Sequence, residues 1–395
     1  MRHVADAERR ARLAQRHALA PGCRADDVAA ATRAMTVLHA TEPATVHLSC
    51  WCRVDGLTTA DVDRALHDDR VVVKQLAMRR TLFVVPRDLL PAVWGSASAR
   101  TAGTERASLV KGVVRTGLAD DGEVWLDEAR GQVLELLAAV PEGLTAQEVR
   151  AALPMIDTTL QLTGGSVPAA ARVITHLGAT GDVVRAANTG HWRVSRPRWA
   201  LMQHWLGEVE APWESAAGYR EVVRRWLHTF GPGTETDLVW WLGATKGIVR
   251  AALADLEAVE VSLDGGGTGW LLPDDEAPVT SLPGSWVALL PVLDATVMGW
   301  KKRDFYLGPH AAQLFDRNGN AGTTAWVDGR VVGCWTQDAV GLVRVHLLED
   351  VAAGARQALE SEAARLTRWL DGVRVGTVYP SPAMKTHRDA AGPTP

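Results

Sequence analysis

Cysteine is scarce in these 395 residues: Cys23, Cys50, Cys52 and Cys334 are the only four. None stands in CxxC spacing, which excludes a zinc ribbon and a disulfide framework. No metal and no other cofactor is expected. Lysine is nearly as rare, with six (Lys74, Lys111, Lys246, Lys301, Lys302, Lys385) among 42 basic residues. Arginine therefore carries the positive charge, as in a GC-rich coding sequence that also favours Ala, Val and Gly. Charge of one sign is lacking too. A formal net charge of −4 gives no global pull toward nucleic acid or an anionic membrane, so either partner must be met by local patches. Long apolar runs are missing: no stretch of 18 apolar residues exists to span a bilayer. The opening MRHVADAERRARLAQRHALA is polar and Arg-rich, without the apolar centre of a secretory leader. These absences lead to the expectation of a soluble, cytoplasmic protein with no membrane partner.

What is present is enough apolar material, 47% of residues, for two or three domains with real cores. Val28, Ala31, Met35 and Leu38 fall at helical spacing and predict a helix over Arg24 to Leu38 with one buried face. His39 comes next, close to that face. Glu42-Pro43 stops the helix, because the residue before a proline is pushed out of the α region. An extended chain from His39 puts His39 and Thr41 on one side, and Cys50 and Cys52 in a strand would share a face. Leu57 to Asp69 then reads as a helix capped by Thr58 or Thr59. The β-branched VVVKQLAMRRTLFVVP reads as two short strands.

The same order returns twice. Around Asp127 to Val140 one helix is expected, then a second opened by the capping box Thr145 to Glu148, then a third from near Ser166. The strands DVVRAA and HWRVS come after it, turned by Asn188-Thr189-Gly190. From Gly218, Val222, Val223, Trp226, Leu227 and Phe230 mark a helix. Thr234 or Thr236 caps the next, Lys246 to Leu256 is the third, and AVEVSL and GWLLP flank a glycine turn. Helix, helix, helix, hairpin is the order of a winged helix, whose third helix enters the major groove. The expected fold is therefore α+β: three tandem winged-helix units over residues 1–100, 101–200 and 201–280, then a C-terminal α/β domain with β-hairpins over 281–384. The hairpin at Asp328-Gly329 and a helix over Ala355 to Val373 belong to that last domain. Residues 385–395 are expected to form a disordered tail.

Several segments together resemble the winged-helix DNA glycosylase family of the AlkZ/YcaQ type. They are His39-Ala40-Thr41-Glu42-Pro43 with Leu48, Trp51 and Arg53, then Met78-Arg79-Arg80-Thr81 as a strand. In the C-terminal part they are Leu293-Asp294, Arg303, Tyr306-Leu307, Asn318-Gly319-Asn320 and the VDGRVVGCW hairpin. The resemblance runs from about Ala20 to Pro380. It implies a monofunctional glycosylase acting on double-stranded DNA, alkylated or crosslinked, with bulky or N7-alkylated bases as leaving groups and a self-resistance role among the uses. In that family a Gln-x-Gln pair is thought to position the attacking water; here His39 and Thr41 stand in those places.

Physical chemistry allows that replacement. Glycosidic hydrolysis passes through an oxocarbenium-like transition state. A base already cationic at N7 leaves without a general acid, so the protein has only to hold water near C1′ and tolerate positive charge. A neutral imidazole accepts a proton and a threonine hydroxyl orients the same water. No lysine stands in the motif to form a Schiff base. The competing reading makes His39 an ordinary helix-terminal histidine satisfied by backbone. Candidate phosphate contacts are Arg79 and Arg80, then Arg193, Arg196 and Arg198 at the second hairpin, and the basic run Lys301, Lys302 and Arg303. Asp294 is a supporting residue beside that run. A solvated strand end is the other reading of Arg79 and Arg80, and a charged surface loop is the default for Lys301 to Arg303; most of the 16 tryptophans read as core. The alternative function is a non-catalytic winged-helix DNA-binding protein or transcriptional regulator. A monomer is expected on the first reading, and two-fold symmetry on the second.

Overall fold

Pro43 starts a helix rather than only ending one. The computed structural model describes residues 1–280 and 282–389. The chain opens with β1 (Arg2–Val4), α1 (Asp6–Arg16), α2 (Val28–Ala34), β2 (Leu38–His39), α3 (Pro43–Trp51) and α4 (Thr59–Asp63). The helix expected over Arg24 to Leu38 shrinks to α2. Asp27 caps it, accepting from the Ala30 amide at 2.7 Å. Thr36 ends it at φ 62°, its hydroxyl lying 3.1 Å from the Arg225 carbonyl and 3.0 Å from Thr229 Oγ1. Proline in the first turn of α3 lacks only an N–H that would be unpaired there anyway. Cys50 and Cys52 consequently sit at a helix end and not on a strand face. Thr58 and Asp61 form the capping box of α4.

Next come β3 (Val72–Leu76) and β4 (Leu82–Pro86), antiparallel with Val73 opposite Val85. Met78-Arg79-Arg80, expected within a strand, forms the turn between them, with Arg79 at φ 53° and Arg80 at φ 57°. Then come α5 (Leu90–Val93), α6 (Ala99–Thr116) and α7 (Gly122–Ala138); the sequence pattern does not predict α6. β5 (Leu144–Thr145) leads into α8 (Ala146–Ala152), opened by the expected Thr145–Glu148 box. A hairpin of β6 (Thr159–Leu162) and β7 (Gly165–Pro168) stands where the third helix is expected to begin, so α9 (Ala169–Thr180) starts after Pro168. β8 (Val183–Asn188) and β9 (Pro197–Leu201) complete a sheet ordered β5-β9-β8, and α10 (Met202–Leu206) is next. HWRVS is loop rather than strand. Asn188 explains the longer turn: its amide donates to the carbonyls of Gly190 and Val194, and its oxygen accepts from the Arg196 amide at 2.7 Å.

The chain continues with α11 (Ser215–Phe230), α12 (Glu235–Leu242), α13 (Lys246–Asp255), β10 (Val259–Leu263) and β11 (Thr268–Leu271). Thr234 is the cap of α12. β1 joins this hairpin in parallel, Arg2 opposite Val261. The last part holds β12 (Val287–Leu290), α14 (Asp304–Leu307), α15 (Ala311–Leu314), β13 (Thr324–Val327), β14 (Arg330–Gln337) and β15 (Val343–Leu347). β12 to β15 form one sheet in chain order, and Asp328 (φ 47°) with Gly329 (φ 80°) makes the β13–β14 turn. α16 (Ala353–Leu370) buries Leu359, Ala363, Leu366 and Leu370, and α17 (Pro382–Asp389) closes the chain. Residues 385–389 are thus helical, not a disordered tail, and 390–395 lie outside the described residues.

Two compact units emerge: residues 1–65 with those from Arg220 onward, and Leu66–Tyr219. In the second, α6, α7, α8 and α9 share one core, through Leu109, Val133, Val149, Val173 and Leu177 among others. In the first, Phe230, Trp300, Phe305, Tyr306 and Trp326 make a chain of ring contacts. His17 is fully buried beside it, stacked on Trp300. Its Nε2–H donates to the Thr229 carbonyl at 3.2 Å, so Nδ1 accepts from Thr296 Oγ1 at 3.0 Å. Burial, then the nearby Arg53, pushes its pKa down to about 3. An unfolded histidine titrates near 6.5, so the unfolded chain binds the extra proton between those values. Stability should be flat above about pH 6.5 and fall as pH drops from there toward 3, by up to about 1.4 kcal/mol per pH unit from this group. Denaturation midpoints against pH check this, and His17→Gln should flatten the slope.

Candidate active site and DNA contacts

His39 ends β2 and is 5% exposed, whereas Thr41, two residues on, is exposed. The two stand at different depths of one short segment, His39 beneath the surface and Thr41 on it. The helix after them, α3, is firmly tethered. Along it, Thr45 Oγ1 donates to the Val292 carbonyl at 2.8 Å and Ser49 Oγ to Asp294 Oδ2 at 2.7 Å. Just past its end, Arg53 donates from Nη1 and Nη2 to the two Asp294 oxygens at 2.9 and 2.8 Å. Arg53 and Asp294 are both fully buried. Burial disfavours the Asp294 charge. The Arg53 guanidinium outweighs it and, with Ser49 and the Thr296 amide, holds the carboxyl below its ordinary range. Asp294 therefore anchors the helix next to the motif. The sequence places it beside the basic run and gives no sign of its partner.

Glu42 carries more than its place before a proline shows. Its carboxylate accepts from Thr377 Oγ1 at 2.9 Å and the Val378 amide at 2.8 Å. It also lines a small pocket with Thr45, Leu48, Trp335, Arg374 and Thr377. Cys50 and Cys52 supply no nucleophile in this region, because burial pushes both thiols up to about 12.

The basic candidates divide by how they are held. The amides of Lys301 and Lys302 donate to the buried Asp237 carboxylate at 2.9 and 2.7 Å, and both residues are exposed. Arg303 is half-buried, its guanidinium 4.4 Å from the Phe315 ring centre and 5.2 Å from that of Trp240. In the other unit Arg80 pairs with the buried Glu105, which also takes Arg172 at 2.7 Å. Arg79 precedes it in the same left-handed turn. Arg198 is engaged structurally, bonding the Gly143 carbonyl at 2.9 and 2.6 Å and facing Glu148 at 3.6 Å. Arg193 and Arg196 stand exposed on the loop that Asn188 braces. Changing Arg193 and Arg196 together to alanine should weaken binding to all duplexes alike and lower the slope of log K against log salt by about 1.8, at about 0.9 per phosphate contact. A titration series at several salt concentrations checks it.

Mixed helices and small sheets of this order are the fold of a DNA glycosylase. The solved structure of the Streptomyces sahachiroi DNA glycosylase AlkZ superposes with a TM-score of 0.71 at 20% identity, covering 94% of this chain and 98% of that one. The model of the DNA glycosylase AlkZ-like family matches residues 32–369, and the chain belongs to that family. It is a hydrolase acting on N-glycosidic bonds in DNA repair. No curated protein matches it. Among the described residues, no helix is long and apolar enough to cross a membrane.

Proposed function

We propose that this chain is a monofunctional glycosylase that removes bulky or N7-alkylated bases, crosslinked ones included, from duplex DNA. It works as a cytoplasmic monomer, on three winged-helix units and a C-terminal domain divided near residues 100, 200 and 280. His39 holds the attacking water and Thr41 orients it. Asp294 acts as a positioning residue through Arg53 and α3. Arg79, Arg80, Arg193, Arg196, Lys301, Lys302 and Arg303 meet phosphates, with Arg198 bracing the second hairpin.

The observation that carries this reading is the family match across residues 32–369, which includes the His39 segment and the Arg53–Asp294 anchor behind it. The chemistry agrees. A cationic base needs no acid, so the site requires only a proton acceptor and charge tolerance, and no lysine lies between His39 and Arg53 to open a lyase route. The regulator reading requires free recognition helices. α9 instead buries Ala169, Ala170, Val173, Ile174, His176, Leu177 and Ala179. Incubation with an N7-methylguanine duplex and then hot alkali should cut the strand at the lesion. Intact strands with every N7-alkylated duplex, alongside firm binding, would support the regulator.

A further inference from the structure

A shallow depression in the Leu66–Tyr219 unit is walled by Leu76, Leu82, Val183 and Trp199, with Lys74, Thr175 and Arg185 as its polar side chains. No carboxylate is among its lining residues. Its construction is specific. Arg185 on β8 lies opposite Trp199 on β9, and its guanidinium sits 4.6 Å from the indole centre. Trp199 in turn lies against Gly178 of α9, where an added Cβ would come within 3.3 Å of the ring. Gln75 donates to the Gly178 carbonyl at 2.9 Å and so fixes β3, with Lys74, against α9.

Arg185 is half-buried, yet among the described residues its guanidinium has no ion pair and no hydrogen bond, only the Trp199 ring beside it. Burial alone lowers its pKa, with no acid drawing it back, and it stays charged at neutral pH. Its guanidinium nitrogens still reach water, but with no acid beside them and apolar neighbours around them they are less well solvated than those of a free arginine. The charge is flanked by apolar walls that strengthen its attraction for an anion. A guanidinium lying over an indole face keeps N–H groups free to bond, and such a fork binds phosphate oxygens in pairs.

We infer that Arg185, stacked on Trp199 with Lys74 at the rim, forms a seat for a single phosphodiester of the DNA backbone. The inference rests on the proposed binding of duplex DNA, and adds a contact away from the exposed loop of Arg193 and Arg196.

The test compares wild type, Arg185→Met and Arg185→Lys in duplex binding across salt, in thermal melting, and in melting with added inorganic phosphate. Arg185→Met should lower the slope of log K against log salt by about 0.9. Wild type should accordingly lose about 3.5-fold more affinity than the variant between 50 and 200 mM salt. Arg185→Lys should keep most of the slope, because the charge remains. Melting of Arg185→Met should fall little, since no ion pair or side-chain hydrogen bond is lost and the methionine chain still packs on Trp199. An unchanged slope overturns the seat, and a clearly lower melting point assigns Arg185 a structural role instead. If the slope is unchanged but phosphate stabilises wild type and not Arg185→Met, the anion is free phosphate and the backbone assignment fails. If the slope falls as expected while wild type excises nothing, the seat stands and the glycosylase reading is what fails.

Discussion

Asp294→Ala is expected to destabilise the protein by about 3–5 kcal/mol, the cost of stranding one member of a buried ion pair. Arg53 would remain fully buried with two of its hydrogen-bond acceptors gone, and Ser49 and the Thr296 amide would each lose a partner. Whole domains are stable by only about 5–15 kcal/mol, so the loss should show directly in the denaturant midpoint. Combining Asp294→Ala with Arg53→Met should recover part of it, since an apolar replacement of both partners is often near neutral. The double variant separates stability from positioning. If the pair also sets α3 behind the motif, kcat in the double variant should drop while duplex affinity holds. A double variant that excises at the wild-type rate would make the pair purely structural, and a single variant as stable as wild type would contradict the burial itself.

The sequence displays its helix caps well because a cap is local chemistry. Thr58, Thr145 and Thr234 are each matched three residues later by Asp61, Glu148 and Asp237, and all three make the reciprocal bonds. The Asp328-Gly329 turn is legible for the same reason. Element ends governed by distant residues are not. Thr36 stops α2 by bonding Arg225 and Thr229, nearly two hundred residues away. Pro43 permits both a stop and a start, and only packing against Val292 and Asp294 shows that a helix begins there. The hairpin at Thr159–Pro168 lies in a segment with weak alternation and two adjacent glycines. α6 carries an irregular pattern that becomes intelligible only through its packing on α7 and α9. At the site, the motif is visible through resemblance. The roles of Glu42 and Asp294 are not, because each is defined by partners more than two hundred residues away in sequence.

His39→Ala should lower excision of an N7-alkylated base by roughly 10²–10⁴-fold, the range that a positioned general base provides. Duplex affinity should barely change, because a side chain only 5% exposed is not on the surface that meets phosphates. His39→Gln should keep appreciable activity. An amide oxygen still accepts a hydrogen bond from water, and a leaving base that is already cationic asks for little more than orientation. Thr41→Val, which removes the hydroxyl at nearly constant shape, should cost less than His39→Ala, because the water keeps its acceptor and loses only its second tether. Rescue by glutamine but not by alanine is a pattern that a merely structural histidine would not produce. Single-turnover excision, with saturating enzyme over duplex, measures these effects together. A His39→Ala protein that is folded, binds duplex and excises at the wild-type rate would end the assignment of the water to His39.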